Sequence, residues 1–258
     1  MEQGATGLAG RRFDRSVGQI KSRARAPDEV IQTYFDDPIE GEDVVEFRLL
    51  YGGDLPSATG TKTRAKLKHA IRKEFHLQLR NLWHGDGTLK QLAMRTGILQ
   101  GKDGGADFSP ERRAEEDIGT PAALQAGLHM ISQKWERNGY SFVPLVTRDL
   151  CLRCAMDILF LRPEDPNLFS ERGDLDARLK TIFDALRMPA NLNEAGGVGP
   201  AENEHPFFLL LEDDKLVTEV RVVTDKLLFP PKTANDAFLV IHVKLKPTRP
   251  LPDSWVFA

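Results

Sequence analysis

Four charged side chains fall in register on one short stretch: Asp174 and Asp176 two apart, then Lys180 and Asp184 at intervals of four. Carboxylates two apart point the same way where the backbone is extended, and residues four apart share one face of a helix. Leu179, Ile182, Phe183 and Leu186 occupy the other face. The segment therefore predicts an amphipathic helix over 175–186, held by its apolar stripe, with a carboxylate–lysine column facing outward. Taken alone, it reads more simply as an N-cap at Asp174 and a solvated ion-pair ladder. A second acidic pair, Asp213–Asp214, changes the weighting. It follows the apolar run 207–211 and precedes a β-branched segment. Carboxylates at a helix start and at a strand edge can converge on Mg²⁺, which takes oxygen ligands, keeps several waters and often bridges to a substrate phosphate. A nearby lysine then stabilises charge on a phosphate under attack.

The elements that must carry these residues are legible as changes of hydrophobic period. Residues 44–51 have strand character and end at Gly52-Gly53, and 62–82 reads as a helix with Leu67, Ile71, Phe75 and Leu79 (or Leu82) on one side. Two more helical stretches, 89–99 and 111–135, are separated by a glycine-rich loop, and the second has a candidate break at Gly119-Thr120-Pro121. A strand over 149–161 stops at Pro163. The helix 175–186 is followed by a Gly/Pro/Asn-rich loop over 187–206, then by strands over 215–224 and 237–246 flanking Phe229-Pro230-Pro231. Residues 1–43 lack a sustained apolar period and read as a mobile arm, with a short helix near 28–35. The expected fold is α/β (α+β): one domain over 44–258, a mixed β-sheet with flanking helices and a helical insertion near 83–141.

Composition bounds the class. The chain has 258 residues, 41% of them hydrophobic, so it can build a core and is not wholly disordered. Two cysteines cannot form the disulfide framework of a small secreted protein. The longest apolar run falls far short of the ~20 residues that span a bilayer, and the first ten residues lack the features of a signal peptide. A soluble, cytoplasmic protein without a membrane partner is expected. The net charge of −3 argues weakly against nucleic-acid binding, yet the charge is unevenly spread. Lys62, Arg64, Lys66, Lys68, Arg72, Lys73 and Arg80 are opposed only by Glu74 across their block. That suits a protein that meets phosphates with one face, and Arg64, Lys66, Lys68, Arg72 and Lys73 are the candidate DNA contacts.

Two weaker motifs carry less. Residues 53–63 hint at a phosphate-binding Walker loop, but six residues separate Gly53 from Gly60, and Thr61 stands between Gly60 and Lys62. Cys151 and Cys154 have CxxC spacing without a second pair, and on a strand they point to opposite faces. They read as buried structural thiols that bind no metal.

At the acidic residues the sequence resembles the RusA family of Holliday junction resolvases. That family's signature is Asp-x-Asp-Asn, a lysine four residues after the second Asp, and then Asp-Ala-Leu. After a loop come an Asp-Asp pair and a strand reading Val-x-x-x-Arg-Val-Val. Here the first part is Asp174-Leu175-Asp176-Ala177, Lys180 and Asp184-Ala185-Leu186; the second is Asp213-Asp214, then Val217 and Arg221-Val222-Val223. The likeness is specific over about 149–247 and faint over about 45–80. It implies a RusA-like mixed sheet and a homodimer that cuts branched DNA, four-way junctions or a related structure, using Mg²⁺ or Mn²⁺. By position it implies that Asp174, Asp176 and Asp214, with Asp213, hold the metal, and that Lys180 assists at the phosphate. The departures are Ala177 in place of the family's Asn, a longer loop before Asp213, the arm and the insertion. They motivate an alternative, a RusA-like module that binds branched DNA or a protein partner without cutting.

Overall fold

The structure, a computed structural model, describes residues 45–57, 60–100, 120–150, 152–163 and 175–247. All of them lie within one compact unit, Ile39–Ala258. The arm 1–43, the short helix near 28–35, Cys151 and Asp174 lie outside the described residues, as does 101–119 of the insertion.

The architecture is mixed α and β. One sheet has the order β1-β7-β4-β6, built from β1 (Glu46–Asp54), β4 (Leu152–Arg162), β6 (Val217–Lys226) and β7 (Asp236–Pro247). β7 runs antiparallel to both β1 and β4, while β6 is parallel to β4. The second sheet has the order β2-β3-β5, from β2 (Glu136–Arg137), β3 (Tyr140–Val146) and β5 (Phe207–Leu211). Four helices accompany the sheets among the described residues: α1 (Thr61–Gly85), α2 (Gly87–Gln100), α3 (Pro121–Lys134) and α4 (Leu175–Leu186).

The sequence explains where these elements begin. Ile71, Phe75, Leu79 and Trp83 put one buried stripe on α1, which packs on β1, β5 and α4. The expected helix 111–135 is Pro121–Lys134 within the described residues, because Thr120 caps it by accepting from the Ala123 N–H at 3.2 Å and Pro121 pre-sets the first turn. The strand expected over 149–161 starts at Leu152, and the one expected over 215–224 starts at Val217, after a 3₁₀ turn at Asp214–Leu216. Cys154 is buried on β4, and burial pushes its thiol up to about 12, the behaviour of a packing residue.

Two strands are not announced by alternation. β5 is buried throughout and β3 nearly so, so neither carries an exposed polar face. The available signal for β3 is the dipeptide Asn138-Gly139. Its two residues adopt φ of 56° and 82°, the two-residue turn that joins β2 to β3.

α2 and α3 cross at a glycine. A Cβ on Gly127 would stand 1.9 Å from the Ala93 carbonyl oxygen and 2.4 Å from its carbon, both backbone atoms that cannot rotate away. Gly127→Ala is therefore expected to destabilise the protein by about 1–3 kcal/mol or more. An unchanged urea midpoint would contradict this crossing.

Buried imidazoles pack around β5. His76 Nδ1 accepts the Phe208 N–H at 2.9 Å, so Nε2 carries the proton and faces the Asn203 carbonyl at 3.4 Å. His69 stacks on Phe207, and neither of its ring nitrogens has a hydrogen-bond partner among the described residues. Burial, helped by the charges of Arg72 and Lys73, lowers its pKa from 6.5 to about 4, and burial lowers His76 and His242 as well. These groups stay neutral in the fold and protonate more readily once unfolded. Stability is then complete well above pH 6.5 and is lost as pH falls toward 4, with His69 alone accounting for roughly 2 kcal/mol of the loss by pH 5. Urea denaturation at pH 7.5 and pH 5 should give the lower midpoint at pH 5; equal midpoints would contradict it.

Candidate functional site

α4 coincides with the segment expected from its apolar stripe. Ile182, Ala185 and Leu186 are buried, Leu179 and Phe183 are half-buried, and Asp176 and Lys180 are exposed on the opposite side. Two polar residues also turn inward: Arg178 is buried, and Thr181 donates its hydroxyl to the Ala177 carbonyl at 3.0 Å. The stripe is therefore broader than the leucine and isoleucine spacing alone suggests.

The end of α4 is tied directly to β5. The Met188 N–H donates to the Leu211 carbonyl at 2.9 Å, and Arg187 forms a parallel bridge with Leu211. β3 and β5 are parallel, and the Glu212 N–H continues their pairing onto the Val146 carbonyl at 3.0 Å. The acidic pair thus emerges where two parallel strands and a helix all end. Crevices at the carboxyl ends of parallel strands are common places for ligands in α/β folds.

Asp213 caps the following turn by accepting the Lys215 N–H at 3.1 Å, and Arg148 Nη2 lies 3.3 Å from its other oxygen. The backbone N–H of Lys215 holds Asp213 below the usual carboxylate range. Asp214 is pushed up, first by its hydrogen bond with Asp213 and also by the charge of that neighbour. Two adjoining carboxylates that resist joint ionisation form a donor set that a hard cation relieves, and their oxygens are the ligand type Mg²⁺ takes.

Among the sequence-expected residues, the charges that act on Asp214 are Asp213 and Asp184, with Arg187 opposing them. Asp184 is clamped: Lys68 Nζ lies 2.5 Å from one of its oxygens and Arg187 Nε 3.2 Å from the other. Burial raises the Asp184 carboxyl, but the hydrogen bonds and charges of Lys68 and Arg187 outweigh it and hold it low. Asp176 precedes Asp184 by two helical turns and more, roughly 12 Å of axial rise. No group of three or more His, Cys, Asp or Glu side chains among the described residues is placed to hold a metal ion.

The basic block on α1 divides into two populations. Lys66 is exposed, and Arg64 is half-buried and donates to the Ser57 carbonyl at 3.3 Å. Lys73 pairs with Glu204 at 2.6 Å. Arg72 is only 2% exposed and directs its guanidinium to two backbone carbonyls, Glu194 at 3.1 Å and Asp184 at 2.7 Å. Lys68 and Arg72 therefore join α1 to α4, Arg64 is half-buried on the same face, Lys73 is half-buried against Glu204, and Lys66 is exposed to solvent. Arg148 and Arg187 belong to the site as well. Arg187 directly follows the Asp184-Ala185-Leu186 triplet, which was the only sequence signal for it; Arg148 had none.

No protein-family model matches this chain, and no curated protein matches it significantly.

Proposed function

We propose that this protein is a Mg²⁺-dependent, structure-specific DNA endonuclease resembling the RusA Holliday junction resolvases. The observation that carries the reading is the pairing of two sequence blocks. The segment with Asp176, Lys180 and Asp184-Ala185-Leu186 is a single helix, and that helix docks on the strand leading to Asp213–Asp214. The spacing that defines the resemblance thus corresponds to one structural unit. By the resemblance, Asp174 and Asp176 would join Asp213 and Asp214 in holding the cation, which when bound supplies an activated water and charge neutralisation at the phosphate; of these, Asp213 and Asp214 are hydrogen-bonded to each other. Lys180, exposed on the same helix, stabilises developing negative charge on the phosphate oxygens. Asp184 orients Lys68 and Arg187. Arg148 holds Asp213 in place.

DNA backbone is held along α1, through Arg64, Lys66 and Lys73. The partner is a four-way junction or related branched DNA. A homodimer places two such sites around a two-fold axis for paired cuts, and light scattering that finds only a monomer with cleavage intact would remove that part. No helix among the described residues is long and apolar enough to cross a membrane. A non-cleaving module that binds branched DNA is the second reading, favoured by the half-buried Ala177 at the position where the family carries Asn.

Binding tests the DNA half of the proposal. A four-way junction titrated in EDTA should bind at low salt, with affinity falling steeply as salt rises. Neutralising Arg64, Lys66 and Lys73 together should reduce the slope of log affinity against log salt by about 0.9 for each phosphate that is no longer neutralised. An unchanged slope in the triple variant would contradict it.

A further inference from the structure

Arg64, Lys68 and Arg72 stand four residues apart along α1, and Arg187 approaches the same space from the end of α4. Between them lies a cleft of about 320 Å³, whose walls also include Asp184 and Glu194. Its volume is at the lower end of the ~300–1,000 Å³ of small-ligand sites. Four cations against two carboxylates leave it with surplus positive charge. These cations are already positioned. Lys68 and Arg187 are fixed on the two oxygens of Asp184, and Arg187 Nη1 lies 3.3 Å from Glu194 Oε2 and 3.2 Å from the Met188 carbonyl. Arg72 is immobilised by its two carbonyl partners, and its Nε is buried without a hydrogen-bond partner among the described residues. Donors held in place before a ligand arrives lose little entropy on binding it.

We propose that this cleft binds a phosphate group, which in the DNA complex belongs to the strand passing Asp213–Asp214. The strand assignment rests on the nuclease reading; the phosphate site rests on the cleft alone. Asp184 already takes up the planar, two-oxygen arrangement that a carboxylate offers to Lys68 and Arg187. Cations that line one cleft from two helices suit a tetrahedral anion, whose oxygens point in several directions at once. Arg187 links the cleft to the acidic pair, because it bridges in parallel to Leu211, two residues before Asp213. A phosphate seated beside Arg187 would therefore lie next to the candidate cation site and fix the register of the strand there.

The test uses Arg64→Gln in the full-length protein, with Lys232→Gln as a control for lost charge at an exposed residue that does not line the cleft. Folding of both is checked by circular dichroism. The probes are inorganic phosphate and a four-way junction, in EDTA at constant ionic strength. Arg64→Gln should weaken junction binding about tenfold relative to the control, lower the salt slope by about one, and abolish competition by millimolar phosphate. Phosphate binding abolished in Arg64→Gln with junction affinity unchanged would uphold the phosphate site and overturn its assignment to the strand. Identical behaviour of the two variants toward both probes would overturn the site itself. If the wild type binds phosphate but no junction, the cleft stands and the nuclease reading fails.

Discussion

Asn in place of Asp174, Asp176 or Asp214 is expected to lower junction cleavage by several orders of magnitude while leaving binding in EDTA equal or tighter. The two effects separate because the proposed work is divided between different elements. In the proposal, the carboxylates would hold a cation at the phosphate, and the cations of α1 would hold the backbone. Removing one carboxylate withdraws ligand charge from the cation, so water activation and charge stabilisation at the phosphate weaken together. It also removes a negative charge that repels DNA when no metal is present, so affinity in EDTA does not fall. Lys180→Ala should damage turnover in the same way, through weaker stabilisation of the phosphate oxygens. Asp184→Asn is the informative contrast. Its carboxylate is held between Lys68 and Arg187, so its removal should lower stability more than turnover. A cleavage time course for the five variants, with binding measured in parallel, checks the set. Wild-type rates in Asp176→Asn and Asp214→Asn would return the acidic residues to a solvated ladder and a turn cap.

Arg72→Leu is expected to cost about 3–5 kcal/mol of stability, near the whole margin of many single domains. The side chain is buried, and its two Nη groups are the donors for the Asp184 and Glu194 carbonyls. Removing it leaves two half-buried acceptors unpaired and strips a cation from beside the Asp184–Arg187 pair. Burial and the charge of Arg187 lower the guanidinium to about 10, so it remains charged near neutral pH and its bonds are charge-assisted. Arg72→Lys should recover only part of the loss, because one ammonium cannot reproduce the fork that reaches both carbonyls. Chemical denaturation measures this directly. Unchanged stability together with weakened junction binding would instead make Arg72 a direct phosphate ligand.

The fate of Arg72 also marks where the sequence stops being informative. Residues 64, 68 and 72 share one face of α1 by spacing alone, and spacing gives no sign of which face meets a partner. That is decided by α4, which lies more than a hundred residues later in the chain. The helix 175–186 was legible because its apolar stripe and its polar column are both continuous. β7 was legible from its β-branched run, whereas β3 and β5 hid as near-continuous apolar segments. The two acidic blocks could each be picked out by residue type. The approach of Asp184 to the Asp213–Asp214 pair at the end of α4 depended on Met188 and Leu211, whose backbone hydrogen bond no pattern of side chains reveals. Arg187 and Arg148 entered the site for the same reason, as charges delivered by tertiary packing.

Whether these residues cut branched DNA is decided by incubating the purified wild-type protein with four-way, Y-shaped and linear duplex DNA, each with and without Mg²⁺, and resolving nicked products on a denaturing gel. Nicks are expected on the branched substrates only, appearing with Mg²⁺ and absent in EDTA. Cleavage of linear duplex at the same rate would contradict structure specificity, and intact branched DNA under conditions where the protein is bound to it would contradict the nuclease itself.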